Sequence, residues 1–182
     1  MTDLTGKRVA FVATDGFEDS ELTSPWQAVT DAGATAVLIA PKSGEIEGKK
    51  GHTQSVDEVT ADVDANDFDA LVLPGGVVNA DHLRMDEAAV AFTRAFFEQQ
   101  KPVAAICHAA WTLIEAEVVD GRTLTSYPSL QTDLRNAGAT WVDEEVVVED
   151  GLVTSRTPED LPAFNAMVVE EIAEGRHTAQ SA

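Results

Sequence analysis

Apolar residues in this chain gather in short unbroken runs, separated by stretches in which they recur at helical spacing. Val9-Ala10-Phe11-Val12-Ala13, residues 36–40, Ala70-Leu71-Val72-Leu73 and Val103-Ala104-Ala105-Ile106 are four such runs. Continuous rather than alternating hydrophobicity is the mark of a strand covered on both faces. Between them the pattern predicts helices. One spans 24–32, with Ser24 suited to an N-cap and Pro25 to the first helical position, and stops at Gly33. A second covers 86–100, where Met85, Ala89, Phe92 and Phe96 recur at steps of four and three and define one core face.

The rest of the chain continues the alternation. Residues 44–51, rich in glycine and lysine, read as a small hairpin or excursion after Pro41. A helix over 109–119, a strand over 123–126 and a helix over 130–137 that ends at Gly138 follow in turn. Residues 146–149 and 152–155 flank Asp150-Gly151, a two-residue hairpin signal. Thr157-Pro158-Glu159-Asp160 opens a final helix that fades at Gly175. Strands alternating with helices predict an α/β fold: a single domain over 1–175, a flavodoxin-like three-layer sandwich with a mostly parallel sheet and helices on both faces. Residues 176–182 are expected to fray.

Composition narrows the function. The chain has 182 residues, 44% of them hydrophobic, enough for one well-buried domain. A formal net charge of −20, from 32 acidic against 12 basic residues, makes nucleic acid and anionic membranes poor partners. The same charge suggests a salt-adapted, halophilic source with an acidic surface. No apolar run reaches the ~20 residues needed to cross a bilayer, and no signal core opens the chain, so a cytoplasmic protein is expected. A single cysteine excludes an intramolecular disulfide.

That cysteine carries the candidate chemistry. Cys107 falls where the run 103–106 gives way to helical spacing, with Ala105 and Ala109 two positions to either side. A nucleophile elbow needs such small flanking residues, because the turn is sharp. A helix N-terminus is also expected to favour the thiolate. In a parallel α/β sheet ligands bind at the carboxyl ends of the strands, which gathers residues 15–21, Gly75-Gly76 and Cys107-His108 at one edge. His108 is the candidate proton carrier. Glu21 is expected to stay neutral beside the thiolate and to donate a hydrogen bond to its sulfur. Gly75 and Gly76 offer backbone N–H groups to a developing oxyanion. No metal-ligand spacing appears among His52, His82, His108 and His177, and no phosphate-binding glycine fingerprint is present, so neither metal nor cofactor is expected. A glutamine amidotransferase would need a late histidine paired with glutamate, and the only late histidine, His177, lies in the expected tail.

Taken in order, Gly16-Phe17-Glu18-Asp19-Ser20-Glu21-Leu22, Leu73-Pro74-Gly75-Gly76, Ala105-Ile106-Cys107-His108, Thr125-Ser126-Tyr127-Pro128 and residues 155–164 are similar to the PfpI type of the ThiJ/PfpI superfamily, whose domain is related to class I glutamine amidotransferases. The resemblance covers nearly the whole chain. It implies Cys107 as nucleophile, Glu21 as the acid contacting it, His108 as its partner and Tyr127 as a pocket-lining residue. It also implies a homodimer or higher oligomer, in which Asp81 stands where protease-type members supply a glutamate to a neighbouring subunit. The elbow continues Ala109-Ala110-Trp111 where the family commonly has Gly-Pro-Gln. The implied activity is glyoxalase or deglycase chemistry on small aldehydes or glycated proteins and peptides, in a stress-protective role. Peptidase action is the alternative within the family, and a non-enzymatic redox-sensing or chaperone role is the alternative outside it.

Overall fold

The computed structural model of the protein describes residues 2–182. In chain order its elements are β1 (Arg8–Val12), α1 (Asp19–Asp31), β2 (Thr35–Ala40), β3 (Glu45–Glu47), β4 (Thr53–Ser55), β5 (Glu58–Val59), β6 (Ala70–Leu73), α2 (Val77–Leu83), α3 (Glu87–Glu98), β7 (Val103–Ile106), α4 (Ala110–Glu115), β8 (Thr123–Leu124), α5 (Gln131–Asn136), β9 (Thr140–Trp141), β10 (Val147–Glu149), β11 (Leu152–Ser155) and α6 (Leu161–Glu174). Seven strands form one sheet in the order β10-β11-β7-β6-β1-β2-β5. Every pairing is parallel except β10 with β11, whose antiparallel hairpin turns through Asp150 and Gly151, both at positive φ. The hairpin or excursion expected over 44–51 is an antiparallel hairpin that runs further, β3 with β4, its second strand beginning at Thr53.

Alternation along the buried strands builds two cores. Ala10, Val12, Leu71, Leu73, Val103 and Ala105 face one side, where Phe92, Phe96 and Phe97 of α3 and Leu113 of α4 cover them. Val9, Phe11, Val72, Ala104 and Ile106 face the other, against Leu22 and Val29 of α1 and Phe164, Val168 and Ile172 of α6. Burying a large aliphatic or aromatic side chain stabilises by about 1.5–3 kcal/mol, so neither layer is dispensable. The chain is thus a three-layer α/β protein with a mostly parallel sheet.

Several boundaries depart from the expectation, each for a physical reason. The first helix begins at Asp19 rather than Ser24, leaving Pro25 inside it. The acidic first turn, with Asp19 and Glu21 at the positive end of the helix, favours the earlier start. Residues 77–83 form a helix of their own, and Asp86 caps α3 by accepting the Ala89 amide at 2.7 Å. Met85 therefore lies before the cap and is 80% exposed, so it is not part of the core face, whereas Ala89, Phe92 and Phe96 are buried. The helix after the elbow ends at Glu115, because Glu117 takes φ +57°.

The tail does not fray as expected. The His177 amide donates to the Gln100 carbonyl at 2.9 Å, the Gln100 side chain donates to the Thr178 carbonyl at 3.1 Å, and Gln180 is buried. Among the described residues, no helix is long and apolar enough to cross a membrane.

Candidate active site

Neighbouring β1 and β6 continue into connections on opposite sides of the sheet, β1 toward β2 and β6 toward β7. Such a switch point opens a crevice at the carboxyl ends of the strands, and the candidate residues meet there. Ile106 ends β7 in extended backbone and Cys107 turns at φ +64°. That left-handed conformation costs a non-glycine residue on the order of 1–3 kcal/mol, and the buried packing of Ala105 and Ala109 holds it in place. The Tyr127 amide donates to the Cys107 carbonyl at 3.1 Å and ties the loop after β8 to the elbow.

Glu21 projects from the first turn of α1 and is fully buried. The Gly75 amide donates to its Oε2 at 2.8 Å, while Oε1 has no hydrogen-bond partner among the described residues. Burial pushes the Glu21 carboxyl up to about 8, with the charge of Glu18 adding to the rise and the Gly75 amide opposing it. Its carboxyl is therefore neutral through ordinary pH, beside Cys107. Burial also pushes the Cys107 thiol up to about 12, the Glu21 charge reinforcing it and the amides of Gly76 and His108 working against it. The helix N-terminus expected to yield a standing thiolate is thus outweighed by exclusion of water. Near neutrality both acids keep their protons, so a nucleophilic sulfur would need a base to take its proton.

His108 is the residue placed to be that base. Its Nδ1 lies 3.2 Å from Cys107 Sγ, and its Nε2 lies 3.5 Å from Ser129 Oγ. Burial, followed by the charge of Lys49, holds the imidazole below its ordinary pKa, so it is neutral and able to accept a proton at pH 7. The ring stacks on Tyr127 at 4.6 Å between centroids and meets the edge of Trp111 at 5.3 Å. Trp111 is itself held by a bond from Nε1 to Asp133 at 3.0 Å. The imidazole is therefore held by two aromatic neighbours.

The two glycines divide their work. The Gly75 amide is committed to Glu21 and so is not free for an oxyanion as expected; the amides of Gly76 and His108 lie at the sulfur and are the candidates for that role. At Gly75 a Cβ would come within 2.7 Å of Cys107 Cβ, and Gly76 adopts φ +96° with the Gly16 carbonyl 2.5 Å from where a Cβ would be. Neither position admits another residue without movement. Asp81 is not brought to the cysteine within one chain. It lies exposed on α2 and makes no hydrogen bond or ion pair among the described residues.

Three contributors escaped the sequence reading. Asn79, fully buried in α2, donates to the Pro74 and Gly75 carbonyls at 3.0 Å each and accepts the Thr14 amide at 2.7 Å, bracing the glycine turn against the end of β1. Nothing in hydrophobic periodicity singles out one asparagine. Lys49 and Lys50, in the turn between β3 and β4, both pair with the buried Glu18 carboxylate, Lys50 at 2.8 Å. Burial works to raise Glu18, and the two lysines outweigh it and hold the carboxyl below its ordinary value. The Asp19 carboxylate accepts the Lys50 and His52 amides at 2.9 and 2.8 Å and fastens this turn over the site. Two adjacent lysines in a chain with 12 basic residues were the available signal.

A cysteine at a strained strand-to-helix turn, a neutral histidine on its sulfur and a buried carboxyl beside both make a candidate cysteine site in a parallel α/β protein. Residues 7–171 match the DJ-1/PfpI family, and the chain belongs to that family. It is 48% identical over 160 residues to the putative cysteine protease YraA of Bacillus subtilis, covering 87% of this chain and 94% of that one. It is 49% identical over 166 residues to protein/nucleic acid deglycase 2 of Escherichia coli, covering 87% and 94%. Among solved structures, Drosophila melanogaster DJ-1beta superposes with a TM-score of 0.85 at 28% identity, over 92% of this chain and 90% of that one. These likenesses support an enzyme of DJ-1/PfpI type.

Proposed function

We propose that this protein is a cofactor-independent glyoxalase or deglycase that acts through Cys107 on α-oxoaldehydes or their adducts with amines. The observation that carries the reading is the 3.2 Å approach of neutral His108 Nδ1 to the Cys107 thiol, beside a fully buried Glu21. As Sγ bonds to the aldehyde carbon, Nδ1 takes the thiol proton, and the new alkoxide, facing the Gly76 and His108 amides, takes a proton back. The product is a hemithioacetal. With methylglyoxal, a proton then leaves C1 and one is delivered to C2, so C1 rises to the acid level while the C2 ketone becomes an alcohol. Water cleaves the resulting thioester to lactate and restores the thiol. No external oxidant or reductant enters. In an adduct the same carbon carries an amine, which leaves with a proton as the carbon–sulfur bond replaces carbon–nitrogen. The name of the deglycase relative from Escherichia coli agrees with this chemistry.

Peptidase action is the second reading, favoured by the name of the Bacillus subtilis relative. A histidine that must hold a proton for a leaving amine is best served by a carboxylate on its far nitrogen, and here Nε2 faces the Ser129 hydroxyl. A homodimer packed through the exposed Val77 and Val78 of α2 would have to bring Asp81 to a second copy's site.

Lactate formation from methylglyoxal without glutathione, measured for the wild type and Cys107→Ala beside cleavage of a casein substrate, tests the choice. Cysteine-dependent lactate is the expected result. Cysteine-dependent casein cleavage with no lactate and no removal of methylglyoxal adducts would replace this reading with the peptidase.

A further inference from the structure

At the edge of the sheet opposite Cys107, the end of α6 and the tail bring together Glu171, Glu174 and His177. One candidate ligand atom from each lies within 4.8 Å of the others. The spacing explains the grouping: Glu171 and Glu174 are three apart on one helical face, and the chain reverses after Gly175, at φ +84°, to return His177. The Gln100 carbonyl holds the His177 amide in that position. The sequence expectation of no metal-ligand spacing considered histidines with one another and so passed over this set.

The cluster is more than a pair of surface acids with a histidine. Glu171 is 7% exposed, its Oε2 is 3.0 Å from His177 Nε2, and neither atom completes a hydrogen bond among the described residues. Gln180 is 2% exposed, and both its amide nitrogen and its amide oxygen are without partners among the described residues. A buried, unsatisfied amide costs roughly 1–3 kcal/mol. Its oxygen borders the same spot as the His177 ring: the place of a Cβ on Gly151 is 2.8 Å from His177 Cδ2 and 3.1 Å from Gln180 Oε1. A glycine at 151 lets the His177 ring and the Gln180 amide approach the backbone this closely.

We propose that Glu171, Glu174 and His177, with the Gln180 amide oxygen beside the His177 ring, form a binding site for a divalent transition cation of the zinc class. One imidazole nitrogen with carboxylate and amide oxygens is a borderline donor set that zinc and cobalt accept, and histidine disfavours calcium and magnesium. Exposed Glu174 leaves one side of the site open to water ligands. The cation joins the last turn of α6 to the tail, and through Gln180 and Gly151 to the hairpin of β10 and β11. Its role is structural, since Cys107 lies beyond the other end of the strands.

The test titrates the full-length protein, first treated with a chelator, with Co2+ and then with Zn2+. Expected are one equivalent bound, weak visible bands of cobalt in nitrogen and oxygen ligands without sulfur charge transfer, and a Tm rise of roughly 5–10 °C at about 100 times the Kd. Glu174→Gln, which alters an exposed side chain, and His177→Gln should each weaken binding by at least about tenfold while the metal-free protein stays folded. Unchanged affinity in both variants overturns the proposal. So does a sulfur-to-cobalt band that Cys107→Ala abolishes, which would put the metal at the nucleophile. An unmoved Tm with no spectrum overturns it too, leaving His177 and Glu171 as an ion pair alone.

Discussion

The Gly75 amide and the Glu21 carboxyl form the joint on which the site turns. A 2.8 Å hydrogen bond from the first to Oε2 of the second fixes the buried acid beside Cys107, and the closeness that makes this bond leaves no room for a side chain on residue 75. Gly75→Ala must therefore push away Glu21, the Ile106 carbonyl or Cys107. Overpacking of this kind costs about 1–3 kcal/mol. Urea unfolding should show that loss together with a large fall in lactate formation. A variant of wild-type stability and activity would mean that the turn is softer than its geometry implies.

Glu21 links stability to pH in a defined sense. Its folded pKa, about 8, lies above the ordinary carboxylate value of 4.5, so the fold favours the protonated form. That contribution is fully present below pH 4.5, declines as pH rises toward 8 and is gone above it. Glu21→Gln keeps an acceptor for Gly75 and removes the ionisation. Its Tm should exceed the wild type's increasingly from about pH 5 to 8, and parallel Tm profiles of the two proteins would refute the assignment.

How far all this was legible in the sequence depends on the range of the interaction. Fully apolar runs marked β1, β2, β6 and β7, because a doubly covered strand has no polar side to confuse the pattern. Cys107, His108 and the two glycines fall just past strand ends and Glu21 in the helix that follows β1, where the parallel topology brings them to one edge. Helix starts were harder. Ser24-Pro25 is a sound local cap signal, yet α1 begins five residues earlier because Glu21 is buried against Gly75 and Asp19 holds the β3–β4 turn. The raised thiol and the loss of Gly75 as an oxyanion donor likewise follow from burial and from a bond spanning 54 residues, and neither leaves a local trace.

The pH dependence of turnover should carry the signatures of two groups. The proposed mechanism needs His108 neutral, and its pKa is lowered by burial, so activity should persist on the acid side below the usual histidine range. An ionised Glu21 would oppose negative charge on the neighbouring sulfur, so on the proposed mechanism the rate should fall as pH passes about 8. Glu21→Gln should retain the acid limb and lose the decline near 8. His108→Ala should lower kcat by about 10²–10⁴, the usual worth of a positioned acid–base group, and slow alkylation of Cys107 at neutral pH. An acid limb at a normal histidine value, or alkylation indifferent to His108, would show that another base serves the thiol.

Salt should stabilise this protein more than it does a balanced one. The chain carries 32 acidic residues against 12 basic ones, and several of the basic ones are already engaged, Lys49 and Lys50 on Glu18 and Arg156 on Asp160 and Asp143. The remaining acids repel one another across the surface. The Debye length falls from about 10 Å at 0.1 M to about 3 Å at 1 M, so potassium chloride removes most repulsion between exposed charges. It also weakens exposed ion pairs, but such pairs contribute only about 0–1 kcal/mol each, and the partly buried ones are screened less. Relief of repulsion should therefore win. Calorimetry in rising potassium chloride should show Tm climbing between dilute and molar salt, and a flat or falling Tm would mean that the acidic surface is already balanced by its spacing.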